Sequence, residues 1–172
     1  PDDAAAVSEL AARTFPDVCP SSLPAEAIEE HIATQLSPTV FEAVLSSPEE
    51  HRLFVAEVEG TLVGYVLTHV GAHALPGDLV RPGRVEEGSA YLSKCYVDEE
   101  CRGSGIADAL IERALADAGE AGHAAVVLGT NRSNKKAQNF YKRHGFRKRS
   151  SRTFEVGGVR NYDVVMVRDL TA

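Results

Sequence analysis

The sequence predicts a mixed α/β (α+β) fold built as one domain over residues 1–172. Three observations predict it. Apolar residues recur at helical spacing in separated stretches, β-branched and aromatic runs of strand length lie between and after them, and a glycine loop, Arg102-Gly103-Ser104-Gly105-Ile106-Ala107, carries a strand directly into a helix.

Val7, Leu10, Ala11 and Thr14 share one helical face, and Ile28, Ile32 and Leu36 share another beyond a connection containing Pro, Ser and Cys. Two amphipathic helices therefore lead the chain. Thr39-Val40-Phe41-Glu42 has the capping-box spacing, with Thr39 placed to accept a backbone N–H and Glu42 placed to reach back. This predicts a short third helix to about Ser46, with Pro48 at the exit. Leu53 to Val58 and Leu62 to Val70 read as strands joined by a hairpin turn at Glu59-Gly60-Thr61, and Gly64 marks a candidate bulge. From Gly71 to Ser89, Gly and Pro punctuation without periodicity predicts a long loop, the candidate for selecting a substrate.

Tyr91 to Val97 is the strand that enters the glycine loop. The helix after it packs Ile106, Leu110, Ile111, Ala114, Leu115 and Ala118, and ends near Gly119 or Gly122. Ala124 to Leu128 is short and uniformly apolar, as a buried strand is. Ala137, Phe140, Tyr141 and His144 then share a helical face, closed by Gly145 at the C′ position with Phe146 packing back. His144 is expected to be a surface or capping group. Phe146 to Val156 and Val159 to Arg168 form the last two strands, turning at Gly157-Gly158.

Composition narrows the function. At 172 residues, two domains would each barely close a core. No run approaches the roughly 18 apolar residues of a membrane span, so no membrane partner is expected, and no export-type leader opens the sequence, which leaves the cytoplasm as the expected compartment. Cys19, Cys95 and Cys101 form neither an even framework nor a C-x-x-C pair, and read as reduced thiols with no metal site. A formal net charge of −7 argues against a nucleic-acid face, although the cations between Arg132 and Arg152 can make a local anion site.

A loop with two glycines entering a helix gathers backbone N–H groups at one point, and the helix dipole adds to their pull on an anion. Gly103 and Gly105 carry no Cβ to block a pyrophosphate, Ala107 keeps the first turn slim, and Ser104 offers a hydroxyl. Taken alone, such a loop is more often a tight turn than a ligand site. ATP is disfavoured because Ile106-Ala107 stands where a Walker loop has Lys-Ser/Thr, and NAD because Asp108 stands where the dinucleotide motif has its third small residue. Tyr141, beside Phe140 on an apolar face, reads alone as a core tyrosine.

Two segments together change the weighting. Arg102-Gly103-Ser104-Gly105-Ile106-Ala107 is followed, after one helix and one strand, by Asn134-Lys-Lys-Ala137-Gln-Asn-Phe140-Tyr141-Lys-Arg-His-Gly145-Phe146. In this order and separation they resemble the two coenzyme A motifs of the GCN5-related N-acetyltransferases, the GNAT family. Leu92-Ser-Lys94-Cys95-Tyr96-Val97, Thr153-Phe154-Glu-Val156-Gly157 and Asp163-Val-Val-Met166 look like the bacterial PaiA-type polyamine acetyltransferases, and Phe54-Val-Ala-Glu through Val63-Gly64-Tyr65 fits the early hairpin.

The resemblance implies a central, mostly antiparallel twisted sheet with a splayed parallel strand pair, Tyr91–Val97 and Ala124–Leu128, and helices on both faces. It implies acetyl-CoA as co-substrate, held by Cys95, Tyr96, Val97, Arg102, Gly103, Ser104, Gly105, Ile106, Ala107, Asn134 and Tyr141. Within that set Tyr141 would protonate the departing thiolate, Asn134 would bind the pantetheine arm, Cys95 to Val97 would pair with its amides, and the Val97 N–H would stabilise the oxyanion. Cys95 itself reads as an inert thiol.

The implied partners are acetyl-CoA and a primary amine, a polyamine first, with a homodimer as the candidate assembly. Many relatives place Glu where this chain has Tyr91, so the base is unassigned. Glu86, Glu87 and His69 lie near the expected cleft mouth, each reading singly as a surface charge. The alternatives are a non-catalytic acyl-CoA-binding or sensing domain, which would not need Tyr141, and an interaction protein that keeps only the scaffold.

Overall fold

A computed structural model describes residues 3–19, 21, 23–79, 88–156 and 159–170, with no side chains described at 154–156 and 159. Helix α1 (Asp3–Thr14) buries the stripe that the periodicity picks out, Ala4, Val7, Leu10 and Ala11. Helix α2 (Ala25–Gln35) buries no residue fully; Ile28 and Ile32 are half-buried, and the buried anchor is Leu36, just past its end. Helix α3 (Pro38–Ser46) corrects the predicted capping box. Its N-cap is Ser37, without a side-chain cap bond, and Pro38 occupies the first turn. A proline's fixed φ and missing N–H suit that position, which moves Thr39 into the helix and away from the cap.

Strands β1 (His51–Val58) and β2 (Thr61–His69) form the hairpin. Glu59 and Gly60 have φ of 49° and 79°, the paired left-handed residues of a two-residue turn, and Thr61 already belongs to β2. A register shift leaves Val63 as the extra residue, so the bulge sits beside Gly64. A Cβ at Gly64 would lie 3.0 Å from Leu110 and 3.2 Å from Ile106. Gly64 is therefore where the helix after the glycine loop comes closest to the sheet.

Strand β3 (Ala90–Val97), helix α4 (Ile106–Glu120) and strand β4 (Ala125–Asn131) form a β-α-β crossover, followed by helix α5 (Lys135–Arg143) and strands β5 (Arg147–Val156) and β6 (Val159–Asp169). The predicted Gly157-Gly158 turn lies outside the described residues. The sheet order is β1-β2-β3-β4-β6-β5, antiparallel except for β3 with β4.

Two cores hold the sheet between layers. On one face Leu110, Ile111, Ala114 and Ala118 of α4, with Phe146, pack on Val66, Leu92, Val126, Leu128 and Met166. On the other, Val7, Leu10 and Phe41 close over Tyr65, while Leu79 of the long loop covers Val127, Val165 and Val167. Burying each such aliphatic side chain contributes roughly 1.5–3 kcal/mol. Among the described residues no helix is long and apolar enough to cross a membrane.

Candidate active site

The parallel pair makes the site. β3 and β4 are in register only at Ala90 with Val126 and Tyr91 with Val127. Immediately beyond, the β2–β3 register shifts and leaves Ser93 as the extra residue of a bulge. A bulge bends its strand and sharpens the local twist, and from there the two strands part. The gap is a cleft of ≈ 330 Å³ bordered by residues 92–96 on one side and 128–131 on the other. That volume lies in the range of small-molecule sites.

The free edge of β3 follows from its pairing with β2. The Asp98 N–H donates to Val63 O at 2.8 Å, so Asp98 and Tyr96 turn their amides toward β2. Alternation along a strand then puts the N–H groups of Cys95 and Val97 on the opposite edge, facing the cleft. The expectation for Tyr96 is corrected in kind: opposite Tyr65, its amide is occupied by the sheet, and what it brings to the cleft is its ring, tilted at 5.7 Å against that of Tyr65. Cys95 is half-buried, and its burial pushes its thiol up to about 12, as expected of an inert group.

At the end of β3 the chain enters the glycine loop. Gly103 and Gly105 have φ of 85° and 88°, a backbone that only glycine adopts without strain, and a Cβ at either would meet nothing within 4 Å. The concavity is open. Gly105 is the N-cap of α4 and supplies no side-chain cap, so the first-turn N–H groups, including those of Ile106 and Ala107, are presented by the helix end. Ser104 corrects its expectation: its hydroxyl donates to Cys101 O at 2.6 Å and shapes the loop from within. Arg102 ties the loop to its surroundings, with Nε on Val97 O at 3.1 Å and Nη2 on Asp17 at 2.5 Å. Loop and cleft edge are thus joined at Val97.

Helix α5 forms the wall across from β3. Asn134 Oδ1 caps the helix by accepting from the Ala137 N–H at 2.9 Å, and Asn134, Ala137 and Tyr141 line the cleft. The helix closes as its sequence predicts. Gly145 at φ 80° lets the Phe146 N–H reach Tyr141 O at 3.0 Å and the Gly145 N–H reach Lys142 O at 3.1 Å, the two bonds of a Schellman end. Tyr141 is wedged edge-on between Phe140 at 5.3 Å and Phe146 at 5.6 Å. Burial, with Cys95 nearby, holds its hydroxyl well above the ordinary tyrosine range, so it keeps its proton at neutral pH. His144 is the C-cap residue of α5, the capping alternative of its expectation, and not a surface group. Its side chain is 10 % exposed, and Nε2 lies 2.8 Å from Asp108 Oδ1 in the first turn of α4, pinning the end of α5 to the glycine-loop helix.

With this geometry in view, comparison with known proteins is decisive. The acetyltransferase (GNAT) family model matches residues 5–146. The chain belongs to the GNAT family of acetyltransferases. An uncharacterized N-acetyltransferase of Mycobacterium tuberculosis is 34% identical over 168 residues, 98% of each chain. Among solved structures, the PaiA N-acetyltransferase of Thermoplasma acidophilum, in complex with coenzyme A, superposes with TM-score 0.75 at 18% identity over 98% of this chain and 93% of that one. The ribosomal-protein-S18-alanine N-acetyltransferase of Escherichia coli superposes with TM-score 0.61 at 18% identity over 96% and 90%. At such identities the fold is what is shared.

Around the cleft also stand residues that the sequence did not mark as site residues. His31 of α2 lines the cleft, stacked at 4.4 Å on Phe15, and burial, then Lys94, lowers its pKa. Lys94 of β3 lines it as well. Asp163 of β6 is buried and held by Arg152 at 3.2 Å; the same guanidinium reaches Asp78 at 3.6 Å and donates to the Tyr91 hydroxyl at 3.3 Å. A Cβ at Gly129 would come within 2.9 Å of both Arg152 and Asp163, so that glycine makes room for the pair on β4.

Tyr91 is therefore held by an arginine, and burial raises its pKa. Glu86 and Glu87 lie outside the described residues. His69 is no surface charge: it packs edge-on to His51 at 4.8 Å, and burial, then His51 and Lys94, pull its pKa down to about 4. That leaves it neutral but a weak base.

Proposed function

We propose that this chain is an acetyl-CoA-dependent N-acetyltransferase that passes the acetyl group directly to a primary amine. One observation carries the reading: a single cleft between parting strands is lined by both Cys95 and Tyr141, Val97 lies two residues further along the same strand edge, and Arg102 joins that strand end to an open glycine cradle at a helix N-terminus. A non-catalytic acyl-CoA sensor would need the cradle without a proton-bearing Tyr141 in the cleft.

The residues fit the coenzyme. Gly103, Gly105, Ile106 and Ala107 would hold its pyrophosphate by backbone N–H groups, Cys95 and Val97 its pantetheine amides, and Asn134 the same arm through the amide nitrogen that its cap leaves over. Acetyl-CoA supplies an acetyl group activated as a thioester. Val97 would aim its N–H at the carbonyl oxygen where negative charge develops. Tyr141 would hold its proton at Oη for the thiolate sulfur. The amine must be unprotonated when it attacks, since an alkylammonium has no free lone pair, and neutral His31 is the cleft residue suited to take the proton that the bound ammonium gives up.

The likeness to PaiA-type sequences and the net charge of −7 support a polyamine as acceptor. The lining of the cleft favours a second reading, an amine that also carries a carboxylate, for which Lys94 is the observation. The purified chain should be stabilised against heat by acetyl-CoA and should release thiol from it when offered amines. Stabilisation without thiol release for any amine class would make the chain a binding module.

A further inference from the structure

We propose that Lys94 is the binding residue for a carboxylate on the acceptor, so that the amine acetylated here is a small, apolar amino acid. The inference rests on the N-acetyltransferase reading and names the substrate class of the same cleft.

Lys94 stands on β3 two residues before Tyr96, on the sheet face turned toward α1 and α2, and lines the cleft. Among the described residues it has no carboxylate at ion-pair distance. Its Nζ lies 3.5 Å from Ser93 Oγ, at the outer limit of a hydrogen bond. The titratable groups that feel its charge from neighbouring elements are His31 of α2 and His69 of β2, both imidazoles whose pKa it helps to lower. Burial already lowers the pKa of Lys94 itself. A half-buried ammonium facing two imidazoles and no anion is unfavourable, and a ligand anion relieves it.

Two arginines near the cleft are matched within the protein. Arg152 has Asp163 and Asp78, and Arg102 has Asp17. Among the described residues the one acidic residue lining the cleft, Asp163, is ion-paired with Arg152, a partner it shares with Asp78. The additional ammonium groups of a polyamine would have to compete with Arg152 for that carboxylate and would meet the charge of Lys94 as well. A carboxylate would find the opposite.

Its shape fits as well. In a regular strand Ser93 and Lys94 would point to opposite faces, but Ser93 is the bulge residue, and both side chains line the cleft with donors 3.5 Å apart. Two adjacent donors suit the two oxygens of one carboxylate. Phe15, Val18 and Leu23 line the same cleft, an apolar wall for the body of the acceptor.

The test compares leucine and phenylalanine with their carboxamides, their decarboxylated amines and spermidine, using the purified chain, acetyl-CoA and thiol release. Wild type should favour the free carboxylates by about 10–100-fold in kcat/KM, the range for a charged hydrogen bond. Lys94→Met, which keeps the stem and removes the charge, should bring that ratio to within about twofold, mainly through KM, while Lys94→Arg restores part of it. Retained thermal stabilisation by acetyl-CoA shows that each variant folds. As a readout without turnover, N-acetyl-leucine should bind the wild-type coenzyme A complex and fail to bind that of Lys94→Met.

A wild type that prefers carboxamides or spermidine overturns the inference and leaves the N-acetyltransferase reading intact, as does a carboxylate preference that Lys94→Met preserves. No thiol release with any amine, despite acetyl-CoA binding, removes the catalytic reading and this inference with it.

Discussion

Tyr141→Phe isolates the hydroxyl from the ring. The ring is clamped at 5.3 Å by Phe140 and at 5.6 Å by Phe146, and phenylalanine retains both contacts, so folding stability should change by no more than about 1 kcal/mol. The hydroxyl's raised pKa means that it is protonated throughout the neutral range and acts as a donor. Removing a positioned proton donor costs roughly 10²–10⁴-fold in rate, or about 3–5 kcal/mol of barrier at about 1.4 kcal/mol per decade. A thiol of pKa near 8.5 is already a fair leaving group at neutral pH, which puts the expected loss near the lower end of that range, about 10²–10³-fold. The assay is single-turnover thiol release, with acetyl-CoA affinity measured separately. Affinity should be unchanged, and a coenzyme analogue with a more acidic thiol should partly rescue the variant, because it needs the acid less. Wild-type turnover in Tyr141→Phe under conditions where chemistry limits the rate would refute the assignment.

Gly105→Val places a branched side chain at φ 88°, in a position where a Cβ has open space, so the expected damage is to the loop conformation and the cradle and not to the core. It should abolish the extra thermal stabilisation that acetyl-CoA gives over pantetheine fragments; equal stabilisation of wild type by fragments lacking the pyrophosphate would remove the loop assignment. His31→Gln should lower kcat/KM by about 10–100-fold with acetyl-CoA affinity unchanged, and should delete the acidic limb of the pH profile, which in wild type lies below the ordinary histidine range. An unaltered profile would exclude His31 as the base. His69 makes stability depend on pH. Its folded pKa of about 4 lies below the roughly 6.5 of an unfolded chain, so between these values the unfolded state binds the extra proton. Stability present above about pH 6.5 should therefore be lost as pH falls toward 4, by up to about 2 kcal/mol once partial exposure is allowed for. Chemical denaturation across that window should show a flatter slope in His69→Gln; an identical slope would refute the burial argument.

The shapes of the glycine loop and of the α5 end were legible because their signals are local. Gly103 and Gly105 need left-handed backbone, and Gly145 needs it again at the α5 end, so within each turn the residues that shape it stand side by side in the sequence. The capping box at Thr39 misled for a related reason: two local rules competed, and the fixed φ of Pro38 took the first helical position. His144 caps α5 as one of its two expected roles, but its tie to Asp108 was not legible, because that partner lies 36 residues away on another helix and no spacing rule connects them. The acceptor side is less legible still. Phe15 and His31, Ser93 to Tyr96, Gly129 to Asn131 and Asn161 to Asp163 meet only because β3 and β4 part after two paired positions. Strand periodicity would also have sent Ser93 and Lys94 to opposite faces, and it took a bulge, unmarked by glycine or proline, to bring their side chains together. Such an arrangement lets the donor grip and the acceptor choice vary separately: replacing Lys94 would change the anion that the cleft favours without altering any residue of the glycine loop or of the α5 motif.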